Sequence, residues 1–256
     1  MKINDAYLDP RPTLLSKSHL LYRSQWRHGT MLPPRPGCRV LSHPHFRMLR
    51  FSLLGIPVQI HPWFWISLAI IGGGGSANSR DSLLDLILFV LAGLISILVH
   101  ELGHALTGRA FGARSEITLE AFGGMAMFTG ARFTRPQHFL VTAAGPVTQI
   151  LLGAAIYLLI PNLFHLSSHA GYFWKILAGI SFIWAMLNLL PVLPLDGGQL
   201  VNALLGPERI KLTLWITIVT ALGAALLIFK VSGSILFPLF LCLFVWQAWQ
   251  ALKQCG

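Results

Sequence analysis

Charged side chains are scarce in this chain of 256 residues: they make up 11% of it, whereas hydrophobic residues make up 54%. A soluble domain carries about 25% charged residues, so the composition excludes an ordinary water-soluble protein. The mean hydropathy of +0.65 is typical of a polytopic membrane protein. A chain of this length has room for about six spans of roughly 20 residues with short connections.

Cysteine is also rare. Cys38, Cys242 and Cys255 are scattered and have neither the spacing of a disulfide framework nor that of a cysteine metal site. The first 50 residues contain no unbroken apolar stretch of 7 to 15 residues, so no secretory signal is visible there.

Acidic residues are fewer than basic ones, 9 against 19, and the formal net charge is +10. The first 50 residues hold nine Lys and Arg and two Asp, so +7 of this charge precedes the first predicted span. By the positive-inside rule this region indicates a cytoplasmic anchor, and no nucleic-acid partner is expected. We interpret residues 1–50 as a basic, disordered tail and residues 51–256 as a six-span core.

Met48 opens a plausible short cytoplasmic start. One hypothesis is therefore that translation begins at Met48 and that residues 1–47 are an over-extended reading frame. The alternative is a genuine basic tail that binds anionic lipid.

The apolar runs predict an all-α polytopic fold with six transmembrane helices. The predicted spans cover residues 56–71, 83–106, 138–160, 172–190, 212–229 and 235–252. We expect Gly145-Pro146 to break the third span early, and a short helix over residues 197–205 to follow the fourth. A small membrane-associated β-hairpin with a Gly-Gly turn or kink is predicted between helices 2 and 3, with a re-entrant loop as the alternative.

Basic residues support this count. With both termini in the cytoplasm, the connections on the cytoplasmic side hold seven Lys and Arg and the opposite side holds three. The cytoplasmic ends of the second and fourth spans would then lie on the same face. We expect a multi-pass protein of a prokaryotic cytoplasmic membrane, with the lipid bilayer as its solvent.

One stretch in the second span carries chemistry: His100-Glu101-Leu102-Gly103-His104. Imidazoles four residues apart lie on one face of an α-helix, so both can bind one metal ion while Glu101 holds a water beside it. Ionisable side chains at membrane depth cost about 2.5 to 3.5 kcal/mol each even on lenient scales, so a cluster of three indicates a functional site.

A third ligand follows the fourth span, where Pro191 and Pro194 unwind the chain ahead of Asp196. Hydrolytic zinc sites use three protein ligands and leave a fourth position open, and two His with one carboxylate is a common set. We therefore predict Zn²⁺ held by His100, His104 and Asp196, with Glu101 as the catalytic base. Asn188 is a candidate oxyanion donor, and a hydrogen bond between helices is its alternative role.

These residues resemble the site-2 protease family of intramembrane zinc metalloproteases. The resemblance rests on the His-Glu-Leu-Gly-His motif, on the segment from Asn188 to Gly198, on Gly145-Pro146, and on residues 55–61. It implies a six-span core, the same zinc ligands and base, and a role for Asn188 in positioning substrate or oxyanion. Gln149 departs from the pattern, because many relatives carry Asn or a smaller polar residue there.

The resemblance also implies that the hairpin edge receives the unwound substrate, and the predicted substrate-binding residues are Phe122, Gly123, Gly124 and Met125. The connection between spans two and three is too short for a PDZ insertion, and too few residues follow span six for a CBS domain. The expected form is a minimal protease core.

The expected function is therefore zinc-dependent hydrolysis of peptide bonds in or near transmembrane segments, as in regulated intramembrane proteolysis. The implied partners are a transmembrane protein or a signal-peptide-like substrate. Two alternatives remain: a metal-ion transporter or metal-binding membrane protein that uses the same cluster, and an inactive relative that acts as a membrane scaffold.

Overall fold

The computed structural model describes residues 26–27, 30–31, 48–121, 123–160, 162, 165, 168–233 and 235–254. Two short strands, β1 (Trp26–Arg27) and β2 (Thr30–Met31), pair antiparallel within a separate N-terminal unit. The predicted disordered tail and the hypothesis of a start at Met48 concern residues that lie almost wholly outside the described part. The described exceptions are strands β1 and β2, Met48, and the pair Leu49 and Arg50, which begin a further strand. At these strand positions the prediction of disorder is wrong.

Seven α-helices are present in the described part of the second unit. They are α1 (Pro62–Ile71), α2 (Arg80–Ala110), α3 (Arg135–Leu159), α4 (His169–Asn188), α5 (Asp196–Leu205), α6 (Ile210–Ser232) and α7 (Leu236–Gln254). Five of them, α2, α3, α4, α6 and α7, are long and apolar enough to cross a membrane. The protein is therefore a multi-pass integral membrane protein.

The first predicted span is wrong in its N-terminal part. Residues Ile56–Ile60 form strand β4, in which Ile56, Val58 and Ile60 are buried in alternation. That period of two is the pattern of a strand, and the helix begins only at Pro62, which occupies the first helical turn. Ten helical residues extend about 15 Å, half the thickness of the hydrocarbon core.

A four-stranded sheet accompanies the helices. Its order is β3 (Leu49–Leu53), β4, β5 (Arg114–Glu120) and β6 (Gly123–Thr129). Strands β4 and β5 are parallel, and the other two pairs are antiparallel. Glu120 pairs directly with Gly123, so Gly123 and Gly124 lie within β6 and do not form the predicted turn. The β5–β6 hairpin is thus one half of a larger sheet.

Helix α3 runs without interruption through Pro146, so the predicted break at Gly145-Pro146 is wrong. Proline removes one backbone hydrogen bond from the ladder, and the helix continues on either side of that single loss. The hydroxyl of Thr148 bonds the carbonyl oxygen of Gly145 at 2.9 Å and lies 3.3 Å from that of Val99 in α2. The proline therefore sits where α3 is bonded to its neighbour.

Helices α2 and α3 pack closely at Gly103. A Cβ built on Gly103 would overlap the Thr148 hydroxyl and would stand 2.6 Å from the carbonyl oxygen of Ala144. The obstructing carbonyl belongs to the helix backbone and cannot rotate away. The absence of a side chain at this position therefore sets the distance between the two helices.

We predict that Gly103→Ala destabilises the protein by about 1 to 3 kcal/mol, because overpacking forces the helices apart. Unfolding in detergent, followed by circular dichroism, measures the change. The matched control is Gly223→Ala in α6, where a Cβ would meet nothing within 4 Å. It should leave stability unchanged or raise it slightly, because Ala has the higher helix propensity. Equal effects of the two substitutions would contradict this account of the contact.

Candidate active site

Two histidines of α2 point toward the same place. His100 and His104 are one helical turn apart, and their Nε2 atoms lie 3.0 Å from each other. Both residues are buried, with 4% and 7% of their surface exposed. The i, i+4 spacing puts both rings on one face of the helix, and that face is turned into the protein.

Asp196 meets these rings from another element. Helix α4 ends at Asn188 and α5 begins at Asp196, so the chain between them is not helical. The carboxylate oxygen Oδ2 lies 3.0 Å from Nε2 of His100 and 3.4 Å from Nε2 of His104. The structure thus brings the three predicted ligands together.

Glycines make room for this meeting. A Cβ on Gly197 would overlap the carbonyl groups of Leu189 and Leu190, so the start of α5 packs directly on the end of the preceding segment. A Cβ on Gly145 would overlap the imidazole of His104. The backbone of α3 therefore lies against the ring of His104, and the start of α5 lies against the segment that precedes it.

The protons on the two rings are assigned by their partners. Nδ1 of His104 lies 2.8 Å from the carbonyl oxygen of Val141, and Nδ1 of His100 lies 3.0 Å from Oε1 of Gln149. Both oxygens can only accept, so each Nδ1 carries the proton and each Nε2 keeps a lone pair. In the neutral form of both rings, two lone pairs and a carboxylate oxygen then converge on one point.

This donor set fits a zinc ion. Three acceptors this close repel one another unless a cation neutralises them. Ligands bound about 2.0 to 2.1 Å from a tetrahedral zinc stand about 3.3 Å apart, and the observed separations are 3.0, 3.0 and 3.4 Å. Among the residues that the structure describes, His100, His104 and Asp196 form the one group of three such side chains that could hold a metal.

Glu101 lies next to this cluster and is 4% exposed. Its carboxylate faces β6, because a Cβ built on Gly124 would stand 2.7 Å from Oε1, and the backbone of Ala126 hydrogen-bonds the carboxylate. A carboxylate between a metal site and a strand edge can exchange a proton with a group bound at either.

Strand β6 lies at the edge of the four-stranded sheet, so alternate residues direct their backbone groups away from β5. The carbonyl oxygen of Leu119 accepts a hydrogen bond from His61 at 2.9 Å, on the side away from β6. Its partner Gly124 therefore turns its own N–H and C=O away from β5. By the alternation of a strand, Ala126 and Phe128 do the same, so the outward groups of β6 begin beside Glu101.

The predicted substrate-binding residues fall differently on this edge. Gly124 is beside Glu101, whereas the backbones of Gly123 and Met125 are directed to β5 by the same alternation. The side chain of Met125 is exposed. Phe122 lies outside the described residues. Sequence reasoning missed Ala126 and Phe128, and only the register of the sheet identifies them.

Asn188 is the last residue of α4. It lines a small, mainly apolar cavity of about 70 Å³ together with Trp184, Leu195 and Phe240. Asn188 and Asp196 therefore bracket the non-helical segment between α4 and α5. Its predicted contribution to an oxyanion site stays a prediction.

Three further polar residues join the site. Gln149, whose role the sequence left open, contacts His100, and behind it lie Ser96 in α2 and Ser181 in α4. All three are fully buried, with 0% exposure. Ser96 could have been noticed in the sequence, since it lies four residues before His100 on the same helical face. Nothing in the sequence pairs it with Gln149 or Ser181.

Comparisons with known proteins agree with this geometry. A model described as peptidase M50B-like matches residues 82–163, and one described as peptidase family M50 matches residues 163–229. A zinc metalloprotease of Methanocaldococcus jannaschii is 32% identical over 162 residues, which are 62% of this chain and 45% of that protein. Stage IV sporulation protein FB of Bacillus subtilis is 30% identical over 156 residues, 60% of this chain and 49% of that protein. The chain thus spans less than half of each relative.

A solved structure is also similar. The site-2 protease from Methanocaldococcus jannaschii superposes with a TM-score of 0.57 and 26% sequence identity. The match covers 80% of this chain and 95% of that one. The similarity therefore extends well beyond the motif-bearing helices.

We predict that Gly145→Ala abolishes stable metal binding, because the added methyl group occupies the position of the His104 ring. Elemental analysis of the purified protein should show zinc content reduced at least tenfold, as expected when a ligand loses its orientation. The matched control is Gly179→Ala in α4, which adds the same methyl group where nothing lies within 4 Å. Full zinc content in both variants would contradict the close contact between α3 and His104.

Proposed function

Because the chain belongs to the site-2 protease family of zinc metalloproteases, we propose that it is a zinc-dependent intramembrane endopeptidase. The observation that carries the proposal is the convergence of two imidazole lone pairs and one carboxylate oxygen, with Glu101 beside them. The reaction is hydrolysis of a peptide bond in or near a transmembrane segment.

His100, His104 and Asp196 would hold the zinc ion. When bound, zinc supplies a Lewis acid that polarises the scissile carbonyl and activates a water for attack at neutral pH. The protein's part is to fix three ligands and leave a fourth position open. The hydrogen bonds on both Nδ1 atoms fix the rings in the form that can bind metal.

Glu101 is the proposed catalytic base. Its carboxylate takes a proton from the attacking water and then delivers it to the nitrogen of the leaving amine. Its position between the ligand cluster and the edge of β6 suits both steps. Asn188 is proposed as a donor to the oxyanion of the tetrahedral intermediate, supported by its place at the end of α4, one non-helical segment before Asp196.

The substrate must be extended at the bond that is cut. A helical substrate hides its carbonyl groups in its own hydrogen bonds, so it has to unwind before attack. The outward groups of Gly124 and Phe128 and the outward carbonyl oxygen of Ala126 can replace those hydrogen bonds by strand addition. The N–H of Ala126 bonds the carboxylate of Glu101. We therefore propose that the substrate pairs with the free edge of β6 beside Glu101.

The proposed substrates are transmembrane proteins or signal-peptide-like remnants. The lipid bilayer around the protein restricts the range of substrates, because a polypeptide that reaches this site must enter from the bilayer or its surface. Residues with weak helix propensity near the cleaved bond would ease local unwinding.

The pairing of β4 with β5 supports a proposed orientation in the membrane. Strand β4 precedes α1 and β5 follows α2, and the two strands pair. This pairing favours a chain that enters α1 and leaves α2 on one face, and we propose α1 as a short sixth element of the bundle. Arg109, Arg114, Arg132 and Arg135 lie on this side, so we propose that the sheet and both termini are cytoplasmic. Both relatives named above come from prokaryotes, which supports a prokaryotic cytoplasmic membrane.

A metal transporter would use the same ligands but would need further sites along a path. In the described part of the chain, one cluster of three ligands is present. A transit site also gives Glu101 no necessary role. The protease is therefore the better supported function.

We predict that Glu101→Gln keeps zinc but loses cleavage by at least 10²-fold, because the amide cannot accept the proton. Asp196→Ala should lose both zinc and cleavage, because one of three ligands is gone. The assay incubates purified protein in detergent with single-span substrates and maps the products by mass spectrometry. A zinc chelator should stop the native reaction. Cleavage at the native rate by Glu101→Gln would refute the proposed base.

Strand addition makes a separate prediction, tested with synthetic substrates that carry one N-methylated backbone amide each. Methylation removes a donor, so cleavage should fall about three- to tenfold at every second position. The intervening positions point away from β6 and should tolerate the methyl group. Equal losses at consecutive positions would contradict pairing with the edge of β6.

A further inference from the structure

A chain of buried hydrogen bonds extends from His100 across three helices. Nδ1 of His100 lies 3.0 Å from Oε1 of Gln149 in α3, and Nε2 of Gln149 donates to the hydroxyl of Ser96 in α2 at 2.8 Å. The Ser96 hydroxyl lies 3.0 Å from that of Ser181 in α4. Ser181 in turn donates to the carbonyl oxygen of Leu177 at 2.7 Å.

Every proton in this chain has one allowed position. The carbonyl of Leu177 can only accept, so the hydrogen of Ser181 is committed to it. The contact between the two hydroxyls then requires Ser96 to donate to Ser181. Ser96 therefore accepts from the amide of Gln149, whose oxygen is left to accept from His100. This series of hydrogen bonds, followed from Leu177 to His100, places the imidazole proton on Nδ1 and leaves the lone pair on Nε2.

The amide of Gln149 cannot turn over. Its second hydrogen points to the backbone carbonyl oxygen of Ser96, 3.4 Å from Nε2. A flipped amide would set oxygen against oxygen there and would offer a donor to Nδ1 of His100. That arrangement would move the imidazole proton to Nε2, where it would block metal binding.

Burial makes this order costly to break. Gln149, Ser96 and Ser181 are 0% exposed, and His100 is 4% exposed. Bulk water therefore cannot replace a lost hydrogen-bond partner, and an unpaired polar group in this environment is strongly unfavourable. If the serines only joined helices, their hydrogen bonds would not need to continue through Gln149 to a histidine of the metal site.

We propose that Gln149, oriented by Ser96 and Ser181, is a positioning residue that fixes the tautomer and the ring orientation of His100 for zinc. The proposal rests on the proposed zinc site. It assigns a role to the position at which the chain departs from the family pattern. It also links α4, which leads toward Asp196, to the ligands on α2.

The test measures zinc affinity by competition with a chromogenic chelator, using the full chain in detergent. Gln149→Leu should weaken zinc binding about 10- to 100-fold, as for other outer partners of metal-binding histidines. Ser96→Ala, which leaves the zinc ligands untouched, should weaken it up to about tenfold. The matched control is Ser67→Ala, because Ser67 is also a buried helical serine, bonded to the carbonyl of Phe64 at 2.9 Å in α1. It should bind zinc as the native protein does.

The double variant separates positioning from general damage. If Ser96 acts through Gln149, Ser96→Ala should have no further effect when Gln149 is already Leu. Effects that add in full, or Ser96→Ala binding zinc like Ser67→Ala, would overturn the proposal. Should Gln149→Leu fail to fold, the visible spectrum of bound Co²⁺ decides: the bands should change in Ser96→Ala and stay native in Ser67→Ala.

Different results would refute the proposed zinc protease and the positioning role of Gln149. Native protein that binds no zinc in this assay would refute the proposed function. Native protein that binds zinc, together with Ser96→Ala of equal affinity and spectrum, would refute only the positioning role.

Discussion

Mutual repulsion among three acceptor atoms is the constraint on which this structure depends. Two imidazole lone pairs and a carboxylate oxygen lie within 3.4 Å of one another in a buried site. Such an arrangement is unfavourable unless a cation lies among the atoms. The surrounding helices offset this cost by holding the three groups in place.

The helices do this with small residues and short polar contacts. Gly103 lets α2 and α3 approach, Gly145 leaves space for the ring of His104, and Gly197 lets α5 pack on the segment before it. Hydrogen bonds to Val141 and Gln149 then set the direction in which each ring faces. Packing thus determines where the ligands are, and hydrogen bonding determines which atoms they present.

The sequence predicted this cluster because two simple rules apply to it. The 3.6-residue period puts His100 and His104 on one face, and the alternation of spans puts Asp196 at the same end of the bundle. Strand β4 was missed because its apolar residues run directly into those of α1, so the two elements read as one span. The continuity of α3 through Pro146, the partners of Gln149 and the outward groups of β6 depend on contacts between distant segments. Local sequence patterns do not encode such contacts.

The order in which the ligands occur along the chain has a consequence for biogenesis. Domains form while the ribosome still adds about 5 to 20 residues per second, and the two histidines leave it long before Asp196. Strand β4 likewise cannot pair with β5 until α1 and α2, which lie between them in the sequence, have been synthesised. A nascent chain therefore carries Glu101 and two members of the cluster without the third. The three side chains of the cluster can meet only once α5 has been made and has folded back against α2.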